Sequence, residues 1–196
     1  MRQSDVPDWY IESCKRIQYM FPRAHAVAYV MMSYRIAWYK VYYPVEFYAV
    51  YFTSKVSEFD AETILKGPQA VLAKIDSIEI KGKNATKKEE DEVSVLEVAY
   101  EMYARGYEFL PAEIDKSNAV KFIADQGKVR PPFVALAGVG ENAARAIAEE
   151  YRIKPFETIE EMQSRARVNK TAVEALREHG VLTGLPETDQ LSLFSL

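Results

Sequence analysis

Residues 138–140 read Gly-Val-Gly, and this triplet restricts the chain more than any other stretch of it. It stands between an apolar turn carrying Phe133 and Leu136 and a run in which Ala144, Ile147 and Ala148 fall on one face of a helix. Two helical segments joined so closely need permissive backbone angles, which glycine supplies. Small residues there also let a ligand approach the amides. The next helix opens with unpaired N–H groups and the positive end of its dipole. Two readings stand side by side: glycine for a sharp helical turn, or a cradle for phosphate.

The remaining chain predicts a mainly α fold with a small β-hairpin element. A helix over residues 8–20 offers Trp9, Ile11, Ile17 and Met20 as apolar positions before Pro22 interrupts it. From Ala24 to Tyr43, Val27, Val30, Met31, Tyr34, Trp38 and Val41 recur at three- and four-residue steps; the spacing assigns Val27, Met31, Tyr34 and Trp38 to a core. Pro44 suits the first turn of a third helix ending near Thr53. Asp60 is placed to cap a helix reaching Ile80, with a break at Gly67–Pro68. "KGKNATKKEEDE" reads as a solvated connection, and Thr86 with Glu89 as the capping box of a helix ended by Gly106. "YEFLPAEI", "NAVKFIAD" and "KVRPPF" then predict short strands with a turn at Asp125–Gly127, followed by short helices to about Gly180.

Composition narrows the chemistry. The single cysteine, Cys14, cannot form an internal disulfide, and His25 and His179 are too far apart in sequence to suggest a zinc site. The N-terminus has no apolar signal region. The most apolar stretch is interrupted by Arg35, Lys40, Pro44 and Glu46, so it reads as a buried helix pair and not a membrane span. A cytoplasmic location and no membrane partner are expected. The net charge of −4 disfavours general nucleic-acid binding, but residues 1–56 carry seven Lys/Arg against four Asp/Glu. A basic N-terminal third on an acidic body permits a local phosphate-facing surface.

The glycine turn resembles the helix-hairpin-helix motif, which grips one nucleic-acid strand through backbone amides without reading bases. The resemblance makes Gly138, Val139, Gly140 and Asn142 candidate DNA contacts, with Arg145 and Arg152 supplying side-chain contacts to phosphate. A second hairpin follows in which Val168-Asn169-Lys170-Thr171 replaces the glycine turn, with Arg165, Arg167 and Lys170 near it. It reads as degenerate, completing the fold, although its cations leave weak binding open beside an ordinary solvated surface.

Residues 9–55 carry a second signal. Lys15, Arg16 and Arg23 lie among Tyr19, Phe21 and Tyr29, with His25 between them. Cations attract phosphate and aromatic planes pack on bases or sugars; His25 taken alone is more often a structural hydrogen-bonding residue than a ligand. "YMFPRAHAVAY" followed by "RIAWYKVYYPVEFYAVYFT" resembles the fingers of bacterial family C replicative DNA polymerases. "VPDWYIESCKRI" and the Phe-Pro pair are similar to the PolC type found in Gram-positive bacteria. "FDAETILKG", "VLEVAYEMYARGYEF", "RPPFVALAGVG" and "VNKTAVEALREHGVL" follow in the family's order.

The resemblance implies the C-terminal part of a long DNA-directed DNA polymerase, a nucleotidyltransferase. Residues 1–105 would be a helical fingers region, 106–130 a β-hairpin connector, 131–182 a tandem helix-hairpin-helix domain binding duplex DNA, and 183–196 a flexible tail. Arg23, His25, Tyr29 and Lys15 become candidate contacts to the incoming dNTP. The family's catalytic aspartates and their Mg²⁺ belong to a palm domain outside these residues, so this segment alone is expected to hold no cofactor and to be inactive.

The tail "QLSLF" resembles the sliding-clamp binding peptide of the PolC type. Gln190 would sit at the mouth of a clamp groove, Leu193 and Phe194 would fill an apolar pocket, and Leu191 would flank them. Primer–template DNA and the sliding clamp are therefore the expected partners. Competing readings are a free-standing helix-hairpin-helix adaptor that docks on the clamp, the sister DnaE type of polymerase subunit, and a helical scaffold without a nucleic-acid role.

Overall fold

A computed structural model describes residues 4–17 and 23–188. The chain divides into two compact units, residues 1–42 and 43–196. The first holds α1 (Asp8–Arg16) and α2 (Arg23–Tyr42). Ile11 is buried in α1, whereas Trp9 and Ile17 are exposed. Met20, read above as an apolar position of the first helix, and Tyr19 and Phe21, read as aromatics of the second signal, lie outside the described residues.

Helix α2 forms where the sequence predicts it, but its assignment to a core is corrected. None of its residues is buried. Val27, Val30, Met31, Tyr34, Trp38 and Val41 are 44–75% exposed. The three-to-four spacing marks where apolar side chains gather on a helix; it does not supply an element to cover them. Apolar residues also occupy the remaining faces of α2, the pattern of a helix enclosed on several sides in a larger body.

In the second unit the local signals operate as read. Pro44 opens α3 (Pro44–Ser54), where its missing N–H costs no helical bond. The Asp60 carboxylate accepts from the Thr63 amide and caps the short α4 (Ala61–Ile64). Gly67, at φ 104°, separates α4 from α5 (Pro68–Lys81). Thr86 and Glu89 form a reciprocal capping box at the start of α6 (Lys87–Ala104). That helix ends in a Schellman-type turn, with Gly106 at φ 84° and the Tyr107 amide bonded to the Met102 carbonyl.

The core of this unit is built on α3. Tyr48 and Phe52 are fully buried, and the Phe52 ring lies 5.4 Å from Phe59, 5.2 Å from Phe109 and 5.7 Å from Phe122. The α5–α6 pair adds Val71, Ile75, Val95, Leu96, Ala99 and Met102. A two-stranded antiparallel sheet, β1 (Ile123–Asp125) and β2 (Lys128–Arg130), pairs Ala124 with Val129. Its turn residues Gln126 and Gly127 have φ 51° and 76°, the two positive values that match a tight turn to strand twist. "YEFLPAEI" is not a strand: only Phe109 makes a bridge, to Val129, because Pro111 has no amide to continue a ladder.

Arg130 closes this region. It is 1% exposed, and its guanidinium donates to Asp125 at 2.8 Å, to Glu113 at 2.7 Å and to the Pro111 carbonyl at 2.7 Å. After a 3-10 turn at Phe133–Ala135 the chain forms α7 (Glu141–Ile153), α8 (Ile159–Ala166) and α9 (Lys170–Glu178). Among the described residues no helix is long and apolar enough to cross a membrane, and no group of three or more His, Cys, Asp or Glu is placed to hold a metal ion.

Candidate nucleic-acid interface

Phe133 and Leu136 are buried, anchoring the apolar side of the first hairpin. The Val139 amide donates to the Leu136 carbonyl at 3.0 Å, and the Val139 side chain is buried beneath the turn. Gly138, at φ 94°, carries the chain through an angle that a side chain resists. Gly140 is the N-cap of α7 in extended backbone, φ −72°, so glycine is not demanded there by conformation. Beyond it Ala144 and Ile147 are fully buried and Ala148 half-buried, fixing α7 on the core by the predicted face.

The helix starts in this region are not equivalent. Thr158 caps α8 by accepting from the Glu161 amide, and the Ile159 and Glu160 amides are taken up by the carbonyls of Pro186 and Glu187. The Glu161 carboxyl is held below its ordinary range by the Glu157 amide, with help from Arg165. Asn169 caps α9 by accepting from the Ala172 amide at 2.9 Å. No side chain caps α7. Among the described residues, the amides of Gly140, Glu141, Asn142 and Ala143 donate no hydrogen bond. An uncapped first turn with its dipole end outward is the arrangement that receives an oxyanion.

The surroundings are electrically lopsided. On one side of the loop lies a groove of about 1060 Å³ whose far wall carries Glu58, Asp60, Asp91 and Glu92 with Lys74 and Lys88. The Lys74 ammonium lies 3.8 Å from Asp60 and 3.6 Å from Glu92, which occupies much of its charge. Burial, with Asp60 nearby, outweighs Lys74 and pushes the Glu92 carboxyl upward. On another side Arg145 and Arg152, two turns apart on α7, line a groove with Lys116, Asp115 and Glu149, where cations outnumber carboxylates by three to two. Arg145 pairs with Glu141 at 2.7 Å, but both are exposed, so a phosphate can compete for the arginine.

The second hairpin is built differently. Its turn passes through Arg167, a non-glycine residue at φ 51°. Arg165, named above among the cations of this turn, points into the fold instead. It donates to Glu161 at 2.9 Å, to the Glu150 carbonyl at 2.6 Å and to the Lys154 carbonyl at 2.9 Å, and lies 4.7 Å from the Phe156 ring centroid. Arg167 and Lys170 remain exposed. Sequence reasoning recognised the missing glycines but not that Arg165 joins α7 to α8.

In the first unit His25 and Tyr29 come together, ring centroids 4.5 Å apart, one turn along α2. Arg23 begins the same helix and is exposed. Lys15 stands on α1, paired with Glu12 at 2.6 Å. The tail candidates Gln190, Leu191, Leu193 and Phe194 lie outside the described residues.

Comparison with known proteins agrees with this geometry. A helix-hairpin-helix motif family model matches residues 106–191. A protein of Clostridium perfringens named DNA polymerase III PolC-type is 50% identical over 194 residues, which are 99% of this chain and 13% of that protein. Proteins of the same name from Thermotoga maritima and Bacillus subtilis are 48% identical over 195 residues and 45% over 194 residues. The chain covers 14% of each. It thus spans about one-seventh of the relatives it matches.

Proposed function

We propose that the chain, 50% identical to a PolC-type DNA polymerase III protein over 99% of its own length, is a segment of such a polymerase, the part that grips primer–template DNA and tethers the enzyme to its sliding clamp. One observation carries the DNA-binding reading: the first turn of α7 is open, behind a glycine loop that falls within the matched helix-hairpin-helix region. The backbone of one strand meets these amides and is drawn toward Arg145 and Arg152, while the acidic groove wall repels it from the other side. Such contacts read no bases, as duplex gripping behind a moving polymerase requires.

The same reading assigns residues 1–105 to the fingers, 106–130 to a connector and 131–182 to the duplex-binding domain. Helix α2 then has its exposed apolar surface covered by the longer protein, with Arg23, His25, Tyr29 and Lys15 turned toward the triphosphate of an incoming dNTP. In this reading metal-dependent phosphoryl transfer belongs to a palm domain of the longer protein, outside these residues. Gln190, Leu191, Leu193 and Phe194 form the clamp peptide, weak alone but effective once DNA binding raises its local concentration.

The test is fluorescence anisotropy with labelled primer–template DNA across a salt series. Binding should weaken steeply with salt, by a slope of about −0.9 for each phosphate neutralised. Gly140→Asp should abolish it: nothing stands within 4 Å of a side-chain carbon there, so the carboxylate caps the open amides and repels phosphate. A Gly140→Asp chain that binds like the wild type would refute the assignment.

A further inference from the structure

Gly138 is held from below. A side-chain carbon placed on it would stand 3.3 Å from the Ala175 Cβ and 3.5 Å from the Thr171 Cγ2. Both partners belong to α9, one turn apart on the same face. The glycine loop of the first hairpin therefore lies on a helix of the second, at a separation that only a hydrogen on Gly138 fits comfortably. Ala175 is 6% exposed, whereas Thr171 stands at the exposed rim. The contact runs from the core to the surface beside the open amides.

We infer that α9 is the seat of the phosphate-binding loop, and that Thr171 and Ala175 are positioning residues that set the height and tilt of Gly138 through their methyl groups. The inference rests on the reading of the α7 start as a phosphate site. It gives the second hairpin a task in DNA binding although its own turn has no glycine and its own helix start is capped by Asn169. The loop is short, with a bond from the Val139 amide to Leu136 as its internal support. A displacement of Gly138 is therefore passed on to the amides of residues 140–143. Seating through a methyl group, and not through a hydroxyl, makes Thr171→Val silent and Thr171→Ser harmful.

The experiment uses the 196-residue chain and two readouts: amide ¹H–¹⁵N shifts of residues 138–143, and affinity for labelled primer–template DNA. Thr171→Val keeps the methyl contact and should leave both unchanged. Thr171→Ser keeps the hydroxyl, loses the methyl and should move the Gly138 and Gly140 resonances while weakening binding by about threefold, at an unaltered thermal midpoint. Ala175→Leu should lift the loop and weaken binding about tenfold, the scale of one charge-assisted hydrogen bond. If Ala175→Leu does not fold, the two Thr171 variants decide alone. The proposal is overturned if Thr171→Val weakens binding and Thr171→Ser does not, which would make the hydroxyl a direct phosphate ligand. It is also overturned if a folded Ala175→Leu chain keeps wild-type shifts and affinity. Failure of the wild-type chain to bind DNA would remove the phosphate reading, and the shifts alone would then judge the seat.

Discussion

Tyr48 and Glu101, 53 residues apart in sequence, share a 2.7 Å hydrogen bond in which the phenol on α3 donates to a carboxylate on α6. Arg105 donates to the same phenol oxygen at 3.1 Å and approaches the Glu101 carboxylate at 3.5 Å. The Tyr48 ring is fully buried, and its hydroxyl is the point where two helices are locked in register. Burial, then the Glu101 hydrogen bond, pushes the phenol up to about 12. Tyr103, which donates to the Ile64 carbonyl at 2.7 Å, is raised by burial to about 12 as well.

These two phenols make stability sensitive to alkali. In the unfolded chain they ionise near 10, whereas the folded chain keeps their protons until about 12. Over that window the unfolded state binds fewer protons, so stability is complete below pH 10 and falls as pH rises toward 12. The urea midpoint should drop over this range, and a Tyr48→Phe/Tyr103→Phe double variant should show a flatter profile. At neutral pH Tyr48→Phe should cost about 1 kcal/mol, one hydrogen bond, because partly exposed Glu101 and Arg105 can turn to water.

Arg130 should be far less tolerant. Its side chain is 2% exposed and bonds two carboxylates and a carbonyl, holding the β-hairpin against the preceding loop. Arg130→Ala leaves Asp125 and the Pro111 carbonyl without their buried partner, and Glu113 with Lys116 only, and should cost about 3–5 kcal/mol in equilibrium unfolding. Arg130→Lys should recover little of this, since an ammonium cannot reproduce the planar fork that reaches all three acceptors.

Helix α2 offers a spectroscopic check. Trp9 and Trp38 are the chain's two tryptophans, and they are 72% and 44% exposed. Intrinsic fluorescence of the isolated chain should be solvent-like in emission maximum and readily quenched by iodide. A blue-shifted, protected signal at low protein concentration would contradict the exposed α2.

The tail can be tested apart from DNA binding. Phe194→Ala should abolish capture of the chain by immobilised sliding clamp while leaving its affinity for primer–template DNA unchanged, since the peptide and the α7 start are separate segments. Unchanged clamp capture by that variant would remove the tether from the proposal.

Much of the fold was legible because its signals are local. Pro44, Asp60, the Thr86–Glu89 pair and Gly106 each act within one turn of a helix end, so residue type and spacing suffice to place them. The open start of α7 was half-legible: the glycines announced the turn, but the absence of a cap becomes clear only beside Thr158 and Asn169. Burial was less readable. The same periodicity that correctly put Ala144 and Ile147 in the core put Val27 and Trp38 there wrongly, since a pattern describes a helix face and not its cover. Long-range pairings left no trace in the sequence, among them Arg130 with Glu113 and Gly138 with Ala175. Each joins residues that no periodicity connects.

The uncapped end of α7 also bears on how this chain responds to selection. Aspartate at position 140 satisfies bare amides, so it should raise folding stability by a few tenths of a kcal/mol while blocking the proposed phosphate site. A library screened for heat resistance alone would therefore enrich a substitution that silences DNA binding. In this segment, thermal survival and biological fitness are expected to part company at a single glycine.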